Sequence, residues 1–286
     1  MSKKKVAYLG NDNQTFGYQA MRKFFGDRDI VPIGCRTHLE VCEKVGRSEV
    51  SCGVVAIENV LDGVVPETAR SIERVDGHYG LKIWGEVILP IRMYCANQTG
   101  SYNGVQRVVS HPSALGQCSY FVGKLFRRGI VTETCSSTGV AAIRARDDAS
   151  VAALASREAI DECNLKYLES ESVTNHVNSA TRFFILGKQH ARKTGDDKTC
   201  FLVNLDQARP GGLADTLDVF ASEKINILLM YPISIFGKRW EYTWMIEVGG
   251  HITDEAVSRA WDGFNALGLS LRPMQFLGSY PKGTLG

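Results

Sequence analysis

A short apolar run, a hydroxyl-rich turn and a helix follow one another three times in this chain, and that repeat restricts it to an α/β architecture. The run 6–9 ends in Gly10 and a polar turn containing Thr15. A helix follows from about Tyr18, with Ala20, Met21, Phe24 and Phe25 on one face. The run 107–109 ends in Ser110-His111-Pro112, where Ser113 is the expected N-cap of a helix reaching Phe126. The run 130–135 ends in Ser136-Ser137-Thr138, ahead of a helix over 139–146. A fourth polar stretch, from Asn175, stops at Thr181-Arg182, and the apolar strand 183–186 begins at once. Helix N-termini with hydroxyls and free N–H groups can converge on one anion, so the pattern predicts a carboxylate-binding cleft between two α/β lobes.

Two further features bear on that cleft. The apolar run 54–57 leads straight into Glu58-Asn59, an acid and an amide that are costly to bury without partners. They either contact a ligand or cap the Asp62-Gly63 turn ahead of a helix starting at Pro66. Arg182 offers a planar fork suited to a carboxylate, or to an ion pair within the protein. His111, before a proline, either contacts ligand or holds its turn together. Neither Gly-x-Gly-x-x-Gly nor Gly-x-x-x-x-Gly-Lys occurs, so a dinucleotide fold and a P-loop have no support.

Composition narrows the function classes. The 286 residues suffice for two domains, and a net charge of +2 argues against a nucleic-acid binder. Lys3-Lys4-Lys5 reads as a solvated terminus. No run approaches the ~20 apolar residues of a membrane span, and no signal-peptide core is visible. Eight cysteines without a Cys-x-x-Cys pair read as reduced cytoplasmic thiols, and the six histidines lack metal-ligand spacing. Residues 189–197 read as a linker. Beyond them the pattern changes to βαββαβ, a split-βαβ layer.

The polar turns and their order resemble those of the prephenate dehydratases with a C-terminal ACT regulatory domain. The matching pieces run from Ala7-Tyr-Leu-Gly10 with Thr15-Phe16, through Ile57-Glu58-Asn59 with Gly63, Ser110-His111-Pro112 and Ser136-Ser137-Thr138, to Thr181-Arg182-Phe183. The C-terminal part contributes Arg209-Pro210-Gly211, Ile225-Asn226 and Trp240-Glu241-Tyr242. The resemblance implies a two-lobed, periplasmic-binding-protein-like catalytic region over 1–190, with lobes of about 1–88 plus 175–190 and 90–170. An ACT-like α+β domain would occupy 198–280. The implied reaction is decarboxylative dehydration of prephenate to phenylpyruvate in phenylalanine biosynthesis, needing no cofactor and no metal. Thr181 would donate the proton, with Glu58 and Asn59 orienting the substrate or, for a protonated Glu58, sharing that role. Arg182, Thr15, Ser110, Ser136, Ser137, Thr138 and Phe183 would bind the dicarboxylate. Gly211, Gly212, Leu213 and Ala214 would form an amino-acid effector turn, and the chain would be a homodimer or homotetramer.

The sequence departs from the family pattern at Gly17, Val60 and Ser179, where serine, serine and asparagine are expected, and at Ser113, where glutamine is expected. Tyr231-Pro232-Ile233-Ser234 replaces the regulatory Glu-Ser-Arg-Pro, which implies altered or absent phenylalanine binding. The alternatives are a prephenate decarboxylase or arogenate dehydratase of the same superfamily, or a non-catalytic small-molecule sensor.

Overall fold

A computed structural model describes residues 3–10, 13, 15–26, 29–206, 208–268 and 274–285. The chain opens with β1 (Lys4–Leu9), α1 (Phe16–Phe25), β2 (Ile30–Cys35), α2 (His38–Gly46), β3 (Cys52–Asn59), β4 (Gly63–Val64), α3 (Pro66–Tyr79) and β5 (Lys82–Pro90). A second set follows: β6 (Tyr94–Asn97), β7 (Arg107–Ser110), α4 (Pro112–Gln117), α5 (Ser119–Phe126), β8 (Val131–Thr134), α6 (Thr138–Asp147), β9 (Val151–Ala155), α7 (Arg157–Glu162) and β10 (Lys166–Tyr167). Strand β11 (Ala180–Gly187) then returns to the first sheet, whose order is β2-β1-β3-β11-β5 with β4 beside β3. The second sheet has the order β10-β6-β9-β7-β8. Two crossings join the sheets side by side: Ile91 N donates to Ser179 O (2.8 Å) and Val173 N to Met93 O (2.8 Å).

The apolar segment 86–96 is therefore split between two strands in different sheets, with its bend at 91–93. The helix expected from Ser113 to Phe126 is also two. His111 is the N-cap, its Nδ1 accepting from Ser113 N (3.3 Å), and Pro112 takes the first helical position. Asn175 occupies the break after Gln117. Its Nδ2 donates to Gly116 O (3.2 Å) and Ser119 Oγ (3.0 Å), and its Oδ1 accepts from Tyr120 N (3.1 Å). A side chain from the return crossing thus satisfies backbone groups that a continuous helix would have paired internally.

The C-terminal region is β12 (Asp197–Val203), α8 (Gly212–Ser222), β13 (Ile227–Ser234), β14 (Tyr242–Gly249), α9 (Glu255–Ala266) and β15 (Gln275–Pro281), in sheet order β13-β14-β12-β15. A last strand read from the apolar pattern as starting at Leu271 would begin on 271–273, which lie outside the described residues. Asp254 is the N-cap of α9. Helices α8 and α9 cover one face through Phe220, Val257 and Phe264. The other face, through Leu202, Met245, Leu277 and Tyr280, shares a core with Val41, Val45, Ile72 and Val75 of α2 and α3.

Strand β15 meets β5 at Gly278, where φ is 145° and a Cβ would collide with the Ile83 backbone carbonyl. The conformation alone costs an alanine about 1–3 kcal/mol, and the collision adds to it. Gly278→Ala should therefore lower the thermal midpoint and make the C-terminal region more protease-sensitive. A variant with wild-type melting and digestion would contradict this account of the contact.

Candidate active site

Strand β3 ends in Glu58-Asn59 and pairs antiparallel with β11, placing Thr181 opposite Asn59 and Arg182 opposite Glu58. The register then skips: Phe183 pairs with Ala56, leaving Ile57 without a partner on β11. This bulge puts Ile57 and Glu58 on the same face of the sheet, toward the C-terminal sheet. Its freed carbonyls are satisfied from α3 and its entry, by Thr68 Oγ1 on Ala56 O (2.5 Å) and Val65 N on Ile57 O (2.8 Å). Asn59, one residue on, shares the opposite face with Thr181.

There Asn59 Nδ2 donates to Thr181 Oγ1 at 2.8 Å. The amide cannot be turned round, because its Oδ1 accepts from Leu61 N (2.8 Å) and Asp62 N (3.3 Å). Thr181 Oγ1 is the acceptor in that bond, so its own hydrogen remains available to donate. Both residues are largely buried, Thr181 at 9% and Asn59 at 5% exposure. Nearby, Ser179 Oγ is buried without a hydrogen-bond partner among the described residues.

Polar side-chain bridges also join elements of the first sheet to those of the second. Gln117 Nε2 (2.8 Å) and Ser113 Oγ (3.3 Å) both donate to Asp62 Oδ2. From α1, Gln19 Nε2 reaches Ser156 Oγ (3.3 Å) and Glu158 Oε2 (3.2 Å) at the start of α7. Thr15 and Ser137 are N-caps whose hydroxyl oxygens accept from Tyr18 N (3.3 Å) and Val140 N (3.1 Å). Thr138 is buried in the first turn of α6, and Ser136 is exposed. Burial lowers the His111 pKa, against an opposing pull from Glu67. Residues 11, 12 and 14, beside Thr15, lie outside the described residues.

Four expected site residues are placed elsewhere. Arg182 is buried on the far face of the sheet and binds carboxylates of the protein, not a ligand. Its Nε (3.0 Å) and Nη2 (2.9 Å) hold Glu58 Oε2, and its Nη1 meets Glu86 Oε2 (3.0 Å) and Glu247 Oε2 (2.6 Å). Glu58, engaged there, points away from Thr181 and cannot share its proton-donor role. Ser110 Oγ is fully buried and donates to Leu154 O (2.6 Å) inside the second sheet. Phe183 packs in the core with Val6, Tyr8, Met21 and Phe25.

The cluster around Arg182 includes residues that sequence reasoning missed. Lys198 Nζ sits 2.9 Å from Glu86 Oε1 and 3.1 Å from Glu247 Oε1, and Tyr280 OH donates to Glu247 Oε2 (3.1 Å). Gly283 N donates to Glu86 Oε1 (2.6 Å). Burial acts to raise the Glu86 pKa, but Lys198 and then Arg182 outweigh it and hold the carboxyl below its ordinary value. For Arg182, burial acts to lower the pKa, and Glu247 foremost reverses it, so the guanidinium stays charged. The available signal was a lone acid inside each of two apolar strands, Glu86 in β5 and Glu247 in β14.

A cavity of about 650 Å³ opens elsewhere, between α1, β5 and the segments 189–192 and 281–284, and Thr181 does not line it. Among the described residues no group of three or more His, Cys, Asp or Glu could hold a metal ion. No helix among them is long and apolar enough to cross a membrane.

The family model for prephenate dehydratase matches residues 6–191. The chain is 32% identical over 282 residues to the bifunctional chorismate mutase/prephenate dehydratase of Aquifex aeolicus, covering 98% of this chain and 74% of that protein. The solved prephenate dehydratase of Arthrobacter aurescens in complex with L-Phe is similar at a TM-score of 0.84 and 26% identity, covering 97% of this chain and 90% of that one. A protein described as a novel type of quorum-quenching acylase shares the fold at a TM-score of 0.78 and 23% identity, covering 97% of both chains. A family match over well more than half of its length settles the assignment: this chain belongs to the prephenate dehydratase family.

Proposed function

We propose that the chain catalyses the decarboxylative dehydration of prephenate to phenylpyruvate, a carbon–oxygen lyase reaction, with Thr181 as hydrogen donor. The ring carboxylate leaves as carbon dioxide, and its bonding electrons enter the ring. The ring C–O bond breaks as the ring becomes aromatic, and the departing oxygen takes the Thr181 hydrogen to leave as water. Thr181 then recovers a proton from solvent. The observation that carries this reading is the direction of the 2.8 Å bond from Asn59 Nδ2 to Thr181 Oγ1. It leaves the hydroxyl hydrogen free, and it stabilises the charge that develops on Oγ1 as that hydrogen departs. Aromatisation supplies the drive, so no organic cofactor or metal takes part.

The substrate carboxylates are held by backbone N–H groups and hydroxyls at the starts of α1 and α6, through Thr15, Ser136, Ser137 and Thr138. Because Thr15 and Ser137 accept from their own helices, their hydroxyl hydrogens remain available to donate to a ligand. The C-terminal region acts as an ACT-type regulatory domain, and a homodimer or homotetramer is the working form. Its effector turn is Gly211, Gly212, Leu213 and Ala214. Gly211 has φ 84° and starts α8 with no side-chain cap. The Arthrobacter relative was solved with L-Phe. Here Tyr231-Pro232-Ile233-Ser234 lies in β13, where Pro232 removes a backbone donor, so L-Phe binding is weakened.

An ultraviolet assay of phenylpyruvate formation tests the chemistry. Thr181→Ala should lose ~10²- to 10⁴-fold in kcat, and Asn59→Leu ~10²-fold, both with the fold retained. Wild-type turnover by the folded Thr181→Ala protein would overturn the donor role. Calorimetric titration with L-Phe should give no saturation below ~1 mM. Micromolar affinity would show that the altered strand still recognises the effector.

A further inference from the structure

We infer that Glu247, in the C-terminal domain, is a positioning residue for the reaction, acting through Arg182 on the Thr181–Asn59 pair. This rests on the dehydratase reading and deepens it.

The case begins at the β3 bulge. Thr181 and Asn59 share a face only because the skipped Ile57 places Glu58 on the opposite one. Glu58 is held there by Arg182, through Nε at 3.0 Å and Nη2 at 2.9 Å on a single carboxylate oxygen. Arg182 adjoins Thr181 and Glu58 adjoins Asn59, so one guanidinium fixes the backbone neighbours of both members of the pair. The Glu58 side chain is 37% exposed and offers little fixity of its own. What immobilises Arg182 is its other edge, where Nη1 meets both oxygens of Glu247 at 2.9 and 2.6 Å and Glu86 at 3.0 Å.

Glu247 is in turn fixed by Lys198 and Tyr280, from β12 and β15 of the same sheet, and is 1% exposed. Its contact is the shortest of the three ion pairs made by Arg182, and it is the one carboxylate on Arg182 contributed by the C-terminal domain. The hydroxyl–amide geometry therefore depends on where β14 lies. Removing the Glu247 charge lets the guanidinium shift toward Glu58 and Glu86. That relaxes the bulge and loosens the Asn59–Thr181 bond, with no change at the helix N-termini that bind substrate. A displacement of β14 would register as a change in kcat.

Steady-state kinetics on the full chain test this, comparing Glu247→Gln, Glu247→Asp and Tyr280→Phe with the wild type. Glu247→Gln should lose ~10-fold or more in kcat with KM for prephenate within about twofold, the split expected when catalytic geometry rather than substrate binding is disturbed. Glu247→Asp, which keeps the charge, should recover part of that loss, and Tyr280→Phe should lose about two- to threefold in kcat. Arg259→Ala, which breaks only exposed ion pairs in the same domain, should leave both constants unchanged. A folded Glu247→Gln protein with wild-type kcat would overturn the inference. If that variant does not fold, an unchanged kcat in Tyr280→Phe would overturn it. A wild-type chain that fails to turn over prephenate would remove the dehydratase reading, and this inference with it. An active wild type beside an equally active Glu247→Gln sinks the inference alone.

Discussion

An arginine that is 8% exposed is tolerated only where its charge is answered, since the effective cost of burying an ion is several kcal/mol. Arg182 is answered by carboxylates from β3, β5 and β14, with Lys198 of β12 between two of them. Those strands belong to two sheets separated by a linker. Neither half of the cluster is complete without the other: the first sheet supplies Arg182, Glu58 and Glu86, and the last supplies Glu247 and Lys198. Three carboxylates against two cations leave one negative charge over. The Tyr280 hydroxyl and the Gly283 N–H absorb it by donating into the cluster. Docking of the C-terminal sheet is thus a condition for the buried charges, not a later addition to a finished catalytic region. Gly278 permits the approach by letting β15 cross the β5 backbone without a side chain between them.

Much of the fold was legible because it rests on periodicity and caps. Ala20, Met21 and Phe25 face the core of α1 as their spacing requires, and Ser137 caps α6. Strand β2 carries a weak sequence signal for a physical reason. Pro32 and Gly34 interrupt β2, which is tolerable because it is an edge strand. For α2 the Thr37-x-x-Glu40 capping spacing was there to be read, and Thr37 Oγ1 does accept from Glu40 N (3.0 Å).

The site was legible in its residue types but not in its sidedness. Placing Thr181, Arg182, Glu58 and Asn59 in one cleft treats a strand end as a point, whereas a strand sends neighbours to opposite faces. Strict alternation would have erred too. Counting along β3 from Val54 and Ala56, which face α1, would put Glu58 with them and Asn59 on the far side. Only the bulge at Ile57 reverses that parity, and it is stabilised by tertiary contacts from Thr68 and Val65. Phe183 shows the same limit: beside Thr181-Arg182 it looks like part of a motif, yet its position in β11 commits it to the core.

Fold alone would not separate a dehydratase from an acylase, since a protein described as the latter shares this architecture. The distinction has to come from what the Thr181 hydroxyl can do. An aspartate at position 59 would present only acceptors to Thr181, whose hydrogen would then be consumed within the pair. An amide free to rotate could do the same by presenting its oxygen. Asn59 does neither, because two backbone N–H groups of its own turn fix Oδ1 and leave Nδ2 to face Oγ1. A nucleophilic threonine needs a base beside its hydroxyl, whereas among the described residues the hydrogen-bond partner of Oγ1 is the Asn59 amide, which donates and cannot take up a proton. Loss of hydroxide, rather than acyl transfer, is the chemistry this orientation favours.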